Sequence, residues 1–361
     1  MKAAVFHGRG DVRVERVDDP APRAGELLLR VHASGICGTD GHEYAHGPSM
    51  FPIHRRDPVT QHLGPMIPGH ELAGTVVELG DGVDGFALDE FVVCGAGIAC
   101  GTCVQCRRGR TNLCVRYATV GLQRHGGLAQ FCAVPAAICR PVAPHELPHD
   151  AAVLAQPMAI AAHALRRGRL GAADHAVVVG AGGIGAFLTY AAVAGGARVT
   201  VLDLDRGRLD LATGLGAHAA AVPDGDLPVR RQLALEPGSP TIVFEVTGRP
   251  AGLATALDLL PAGGRLVVVG LQGRPVEVDL RDMALREIEL IGTNAHVCDV
   301  DLPRALALLA ARDAPWDDVA PVALALDDLV AGGLEPLASG RSRHIKTLVD
   351  PSASRTRPTR M

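Results

Sequence analysis

Aromatic side chains are scarce in this chain: phenylalanine, tyrosine and tryptophan make up 3% of its 361 residues. That leaves too few rings for the base-stacking platforms of single-strand nucleic-acid binders. A basic face is missing too. The formal net charge is −4 and the isoelectric point is near 6.4. The Arg-Arg pairs at 55–56, 107–108, 166–167 and 230–231 are scattered along the chain and read as solvated surface, whereas nucleic-acid binding needs clustered positive charge. Residues 1–30 hold no apolar core of signal-peptide form, and no repeat of solenoid or propeller period is present. One charge-free run, Ala176–Ala197, covers 22 residues, long enough to suggest a membrane span. Six of those residues are glycines, four of them between positions 180 and 185, which would badly weaken a spanning helix. The expectation is a soluble, cytoplasmic protein with a small-molecule substrate and neither nucleic-acid nor membrane partners.

What is present is chemistry-bearing. Cys37-Gly-Thr-Asp40 is followed at a distance by Gly69-His70-Glu71. A thiolate, an imidazole and a carboxylate suit a catalytic zinc, which holds three protein ligands and keeps one position open. Thr39 and His42 lie just beyond the thiol, where a hydroxyl and a second imidazole can carry a proton away. Asp40 is either a partner for His70 or a plain turn residue. Further on, Cys100, Cys103, Cys106 and Cys114 run as C-x₂-C-x₂-C-x₇-C. Short turns between four thiolates let them converge on one ion with no open position, as in structural zinc sites. A disulfide cluster is the alternative. It fits poorly with an odd total of nine cysteines, with Cys94, Cys132, Cys139 and Cys298 left unplaced.

A dinucleotide signature follows. Val177-Val-Val-Gly180-Ala-Gly182-Gly183-Ile184-Gly185 ends a β-branched run, opens an apolar helical stretch, and is answered by Asp203 at the end of Val199–Asp203. That is the arrangement in which glycines admit a tight turn and a close pyrophosphate, and the helix N-terminus faces the phosphates. Asp203 can accept hydrogen bonds from the adenosine ribose of NAD. A 2′-phosphate there would meet a like charge, costing roughly 4 kcal/mol per unit pair at about 4 Å and an effective dielectric near 20. Arg206 and Arg208 soften that penalty, and Arg208 can instead stack on adenine. NAD is favoured over NADP.

The texture changes along the chain. Strand-like runs at Glu26–His32, Ala73–Leu79, Phe91–Cys94 and Leu128–Val134 are punctuated by Gly, Pro and Asp. From about Ala151, buried strands at 176–180, 198–202, 241–246, 265–270 and 288–292 alternate with helices at 184–195, 251–260 and 302–311. Continuous apolar strands alternating with helices indicate a doubly wound parallel sheet. A chain of 361 residues exceeds what one core usually supports. The expected division of this α/β chain is 1–153 as a β-rich domain, with a zinc lobe at about 94–116, and 154–297 as a Rossmann domain. Residues 298–350 are mixed again in texture, and 351–361, rich in Ser, Thr, Arg and Pro, form a frayed tail.

The order Cys37-Gly-Thr-Asp-x-His42, Gly69-His70-Glu71, four-cysteine lobe, Gln156-Pro157, glycine loop, Asp203 resembles the zinc-dependent medium-chain dehydrogenases over residues 1–350. Within them it is most similar to the polyol, butanediol and threonine dehydrogenase branch. The resemblance implies a GroES-like β-rich catalytic domain to which residues 298–350 return, a Rossmann domain that interrupts it, an active site in the cleft between them, and a homodimer or homotetramer. It also implies one catalytic and one structural zinc, and NAD-linked oxidation of a secondary alcohol of a polyol, sugar, cyclitol or amino alcohol. Val246 and Gly270, at the ends of two expected strands, join Gly180, Gly182, Gly183, Ile184, Gly185, Asp203 and Arg208 in the implied cofactor site.

There is one departure. The polyol branch usually carries Glu where this chain has Gln156, so Gln156 is taken as a neighbour of the catalytic zinc with its coordination open. The loop from His46 to His62, with His54, Arg55, Arg56, Asp57 and Gln61, is placed by the resemblance beside a polar substrate, and His296 is a further candidate there. The alternatives are a short-chain alcohol or formaldehyde dehydrogenase, or a catalytically silent member of the family, for which Gln156 is the hint.

Overall fold

A computed structural model describes residues 1–223 and 229–361. The chain divides into two compact units, one of residues Met1–Ala159 with His296–Met361 and the other of Ile160–Ala295. Among the described residues no helix is long and apolar enough to cross a membrane.

The first unit is built on an eight-stranded sheet. Its central strand, Glu26–Gly35, pairs antiparallel with Glu71–Leu79 and Phe131–Pro135 and, near its end, with Leu348–Asp350. Alternation along Glu26–Gly35 sends Leu27, Leu29 and Val31 into a core with Leu72, Val76, Val92 and Val134. Three chain-distant segments therefore meet at Gly35, which faces both Glu71 and Leu348. That register positions the candidate metal-ligating residues.

The second unit is a six-stranded parallel sheet. Its order is Ala219–Ala221, Arg198–Leu202, His175–Val179, Ile242–Glu245, Arg265–Val268, Glu289–Gly292. Val177, Val179, Leu202, Val243 and Leu266 fill one core beneath the helix Pro250–Leu259. The order reverses direction between His175–Val179 and Ile242–Glu245, the topological switch at which doubly wound sheets bind ligands.

Two sequence expectations are corrected, and one helix that the sequence reading did not mark is added. The stretch around Gln156-Pro157 is helical over Ala155–Arg167. Pro157 falls in the first turn, where a missing N–H breaks no bond, and alanines dominate the rest. The helix expected at 302–311 begins instead at Cys298 and carries Pro303 inside it. Residues 351–361 do not fray. Arg357–Pro358 pairs with Val322–Ala325, Thr359 N–H donates to the Pro321 carbonyl, and Arg357 reaches the buried Asp150 carboxylate at 2.7 Å. Polar composition suggested disorder, but backbone pairing and a buried ion pair hold the segment without an apolar face.

Candidate metal centre and cofactor site

Cys37 follows the central strand and stands at the N-terminus of the helix Gly38–His46, where its backbone N–H donates to Asp40 Oδ2 at 2.9 Å. His70 and Glu71 open the neighbouring strand. Strand pairing thus brings the three together, and one ligand atom from each of Cys37, His70 and Glu71 lies within 4.8 Å of the others. His70 is 6% exposed and Glu71 1%. His70 Nδ1 is 3.8 Å from Asp40 Oδ1, so Asp40 stands beside the imidazole as well as capping the helix.

The donor set fits zinc. Glu71 Oε2, His70 Nδ1 and Asp40 Oδ1 are all buried with no hydrogen-bond partner. Orphaned polar atoms of this kind cost about 1–3 kcal/mol each unless something satisfies them, and a cation among them does so. The electrostatics agree. Burial alone would lower the His70 pKa, but the negative charges of Asp40, Cys37 and Glu71 outweigh it and raise the imidazole to about 10. The cluster attracts positive charge.

Sequence reasoning missed Lys346. Its side chain is 4% exposed, and its ammonium pairs with Glu71 Oε1 and donates to the Ile36 carbonyl at 3.2 Å. Burial works to lower its pKa, but Glu71 and Cys37 outweigh this and hold it above the ordinary lysine value. A signal was available. Of 35 basic residues only Lys2 and Lys346 are lysines, and Lys346 sits in the apolar run Ile-Lys-Thr-Leu-Val.

Thr39 Oγ1 lies 3.9 Å from Cys37 Sγ. His42 is one helical turn from His46, their rings 5.3 Å apart. Gln156 is buried, at 8% exposure, in the first turn of its helix. His296 is also buried, and its Nε2 bonds the Gly95 carbonyl at 2.9 Å, so that nitrogen is committed to backbone. The loop after His46 is tied at its base by the buried Glu43 carboxylate, which accepts the N–H groups of Ser49, Met50 and Phe51. Asp57 closes a turn over Val59 and Thr60. His54, Arg55, Arg56 and Gln61 remain exposed.

In the lobe, Cys100, Cys103, Cys106 and Cys114 also bring their sulfurs within 4.8 Å of one another. Hydrogen bonds from Thr102 hold the Cys100 thiol down to about 5, while burial pushes Cys106 up to about 12. Four thiolates so close repel one another unless a cation sits between them.

In the parallel-sheet unit the glycine loop runs from the strand His175–Val179 into the helix Gly183–Ala194. Gly180 has φ +106°, a left-handed conformation that glycine adopts without strain. A Cβ on Gly185 would stand 1.9 Å from the Gly180 carbonyl oxygen, so the helix can approach the turn only without a side chain there. Around Gly182 nothing comes closer than Arg208 at 3.9 Å, leaving the approach open. Gly183 and Ile184 form the first turn of the helix. Asp203 Oδ2 accepts from Ala181 N–H at 2.7 Å and Oδ1 from Asp205 N–H at 2.9 Å. The Arg208 guanidinium is 3.9 Å from Asp203. Val246 N–H bonds the Val179 carbonyl across the switch point. Gly270 presses on Gly248, where a Cβ would meet the backbone nitrogen at 2.1 Å.

Residues 23–144 match the alcohol dehydrogenase GroES-like domain family and residues 183–311 the zinc-binding dehydrogenase family. The chain is 30% identical to the (R,R)-butanediol dehydrogenase of Bacillus subtilis (strain 168) over 354 residues, 98% of this chain and 100% of that one. It is 32% identical to the erythritol/L-threitol dehydrogenase of Mycolicibacterium smegmatis, over 94% of this chain and 95% of that one. The crystal structure of 2R,3R-butanediol dehydrogenase from Bacillus subtilis superimposes with a TM-score of 0.88 at 30% identity, covering 97% of this chain and 99% of its own.

Proposed function

Because the chain belongs to the zinc-dependent alcohol dehydrogenase family, we propose that it uses NAD to oxidise a secondary alcohol that carries a neighbouring hydroxyl or amino group. The observation that carries this reading is the convergence of Cys37, His70 and Glu71 with three unsatisfied buried polar atoms among them and Asp40.

When bound, zinc supplies the Lewis acidity that lowers an alcohol's pKa, and NAD the acceptor for its hydride. The chain's own residues do the rest. Cys37, His70 and Glu71 hold the metal, Asp40 steadies His70, and Lys346 fixes one oxygen of Glu71 and offsets its charge. The Thr39 hydroxyl takes the proton leaving the substrate's hydroxyl, and His42, one turn further along the same helix, passes it to water. Gly180, Gly182, Gly183, Ile184 and Gly185 receive the pyrophosphate, Val246 and Gly270 border it, and Asp203 accepts the adenosine ribose hydroxyls. A 2′-phosphate beside Asp203 meets a like charge that Arg208 offsets only in part at 3.9 Å, so NAD is the preferred coenzyme. The four-cysteine lobe holds the second, structural zinc. The exposed polar residues of the 46–62 loop suit a hydroxyl-rich substrate better than an aliphatic alcohol. A homodimer or homotetramer working in the cytoplasm completes the reading.

The test is an NAD reduction screen over vicinal diols, tetritols, cyclitols, β-hydroxy amino acids and ethanol. Turnover with diols or amino alcohols well above ethanol is expected. A preference for ethanol, or for no alcohol in a zinc-replete preparation, would overturn the reading.

A further inference from the structure

A cavity of about 700 Å³ opens in the antiparallel unit, and none of its lining residues belongs to the metal or cofactor sets. Its wall is the C-terminal segment, held against the start of the helix His149–Ala152. At its base Asp150 is 1% exposed and fully engaged: Arg357 grips both carboxylate oxygens, His32 Nε2 bonds one at 2.8 Å, and Arg360 N–H donates to the other at 2.7 Å. These bonds hold the Asp150 carboxyl below its ordinary range. Arg357 is spent in the same way, on Asp150 and on Asp350 at 3.0 Å.

Two cations are left over. Arg355 and Arg360 are among the residues lining the cavity, and among the described residues neither guanidinium pairs with an acid. Three arginines thus stand against two carboxylates in the lining, a surplus of one positive charge. His149 is itself fixed, stacked on Phe91 at 3.7 Å. The residues Ser352 and Ser354 add hydroxyl groups to the lining. Guanidinium forks with hydroxyl donors are the chemistry that binds tetrahedral oxyanions bidentately. The volume exceeds that of a lone phosphate ion.

We propose that this cavity binds a small phosphorylated metabolite, with Arg355 and Arg360 gripping its phosphate, at a site separate from the dehydrogenase chemistry. Both arginines are exposed, so replacing them leaves the Asp150–Arg357 anchor intact. The experiment is calorimetric titration of the full chain, saturated with NAD so that the dinucleotide site is filled. Inorganic phosphate, pyrophosphate and citrate are the probes, at ionic strength matched with KCl. Saturable binding of phosphate or pyrophosphate is expected. In the double variant R355A/R360A it should weaken by roughly tenfold or more, as loss of charged hydrogen bonds predicts. The double variant R281A/R304A, which removes the same charge elsewhere, should bind as the wild type does. Absence of saturable binding, equal binding by R355A/R360A, or tighter binding of citrate than of either phosphate probe would each overturn the proposal.

Discussion

In the parallel-sheet unit the glycine loop and its answering acid fall between Gly180 and Asp203, on one strand, one turn, one helix and the next strand. The metal cluster of the antiparallel unit draws instead on Cys37, His70–Glu71 and Lys346, with Lys346 275 residues beyond Glu71. Local backbone geometry makes the first site. A strand register, with Gly35 facing both Glu71 and Leu348, makes the second. A local site can be read from spacing, because the chain between its parts is too short to go elsewhere. A site assembled by register shows its residue types in the sequence but hides its partners.

The contrast can be broken most forcefully at Cys37. Cys37→Ala should abolish turnover, on the order of a thousandfold or more, and remove one of two bound zincs while the fold persists. Cys103→Ala should lower the melting temperature and remove the other zinc, because structural metal binding contributes folding free energy. Metal analysis beside a thermal melt separates them, and near-normal turnover of Cys37→Ala would refute the catalytic assignment.

Next in size is Lys346. Lys346→Met leaves Glu71 buried without its cation, and breaking such a pair costs about 3–5 kcal/mol. Urea unfolding of the zinc-free protein should show that loss, whereas Lys2→Met, at an exposed pair, should stay within about 1 kcal/mol. Equal midpoints for the two variants would remove Lys346 from the site.

In the cofactor unit, Asp203→Ser should raise the KM for NAD by roughly tenfold, the value of one or two charged hydrogen bonds, and narrow the preference over NADP. Wild-type protein that uses NADP as readily as NAD would contradict the charge reasoning.

A pH test addresses the docked tail. The Asp150 carboxyl lies below its ordinary value in the folded protein, so its stabilising effect is full above the unfolded carboxylate range and fades as pH falls through the folded pKa. Asp150→Asn should therefore be less stable than wild type at pH 7, by about 1–3 kcal/mol. The gap should shrink below about pH 4. A gap constant from pH 7 to pH 3 would show that the carboxylate's charge is not what holds the tail.

The smallest effect concerns Gln156. On the proposed placement of Gln156 beside the metal, a carboxylate there would make the metal's surroundings more negative. Gln156→Glu should then shift the rising limb of the kcat–pH profile upward by up to about one unit. An unchanged or lowered limb, with zinc content intact, would mean that the side chain does not tune the metal.

The sequence determined by itself what depends on residue type and short spacing. The four-cysteine ladder, the turn that only glycine admits at Gly180 and Gly185, the acid at Asp203, and the alternation of apolar strands and helices all have local physical causes. They told the fold class and named Cys37, His70 and Glu71 as candidate ligands by their chemistry. Tertiary structure decided everything that long-range pairing controls. It put Lys346 on Glu71, bonded His296 to the Gly95 backbone, and docked residues 351–361 through Arg357 and Asp150. Each of these depends on which strand lies beside which. That is a property of the whole sheet's packing and register, and no local run of residues encodes it.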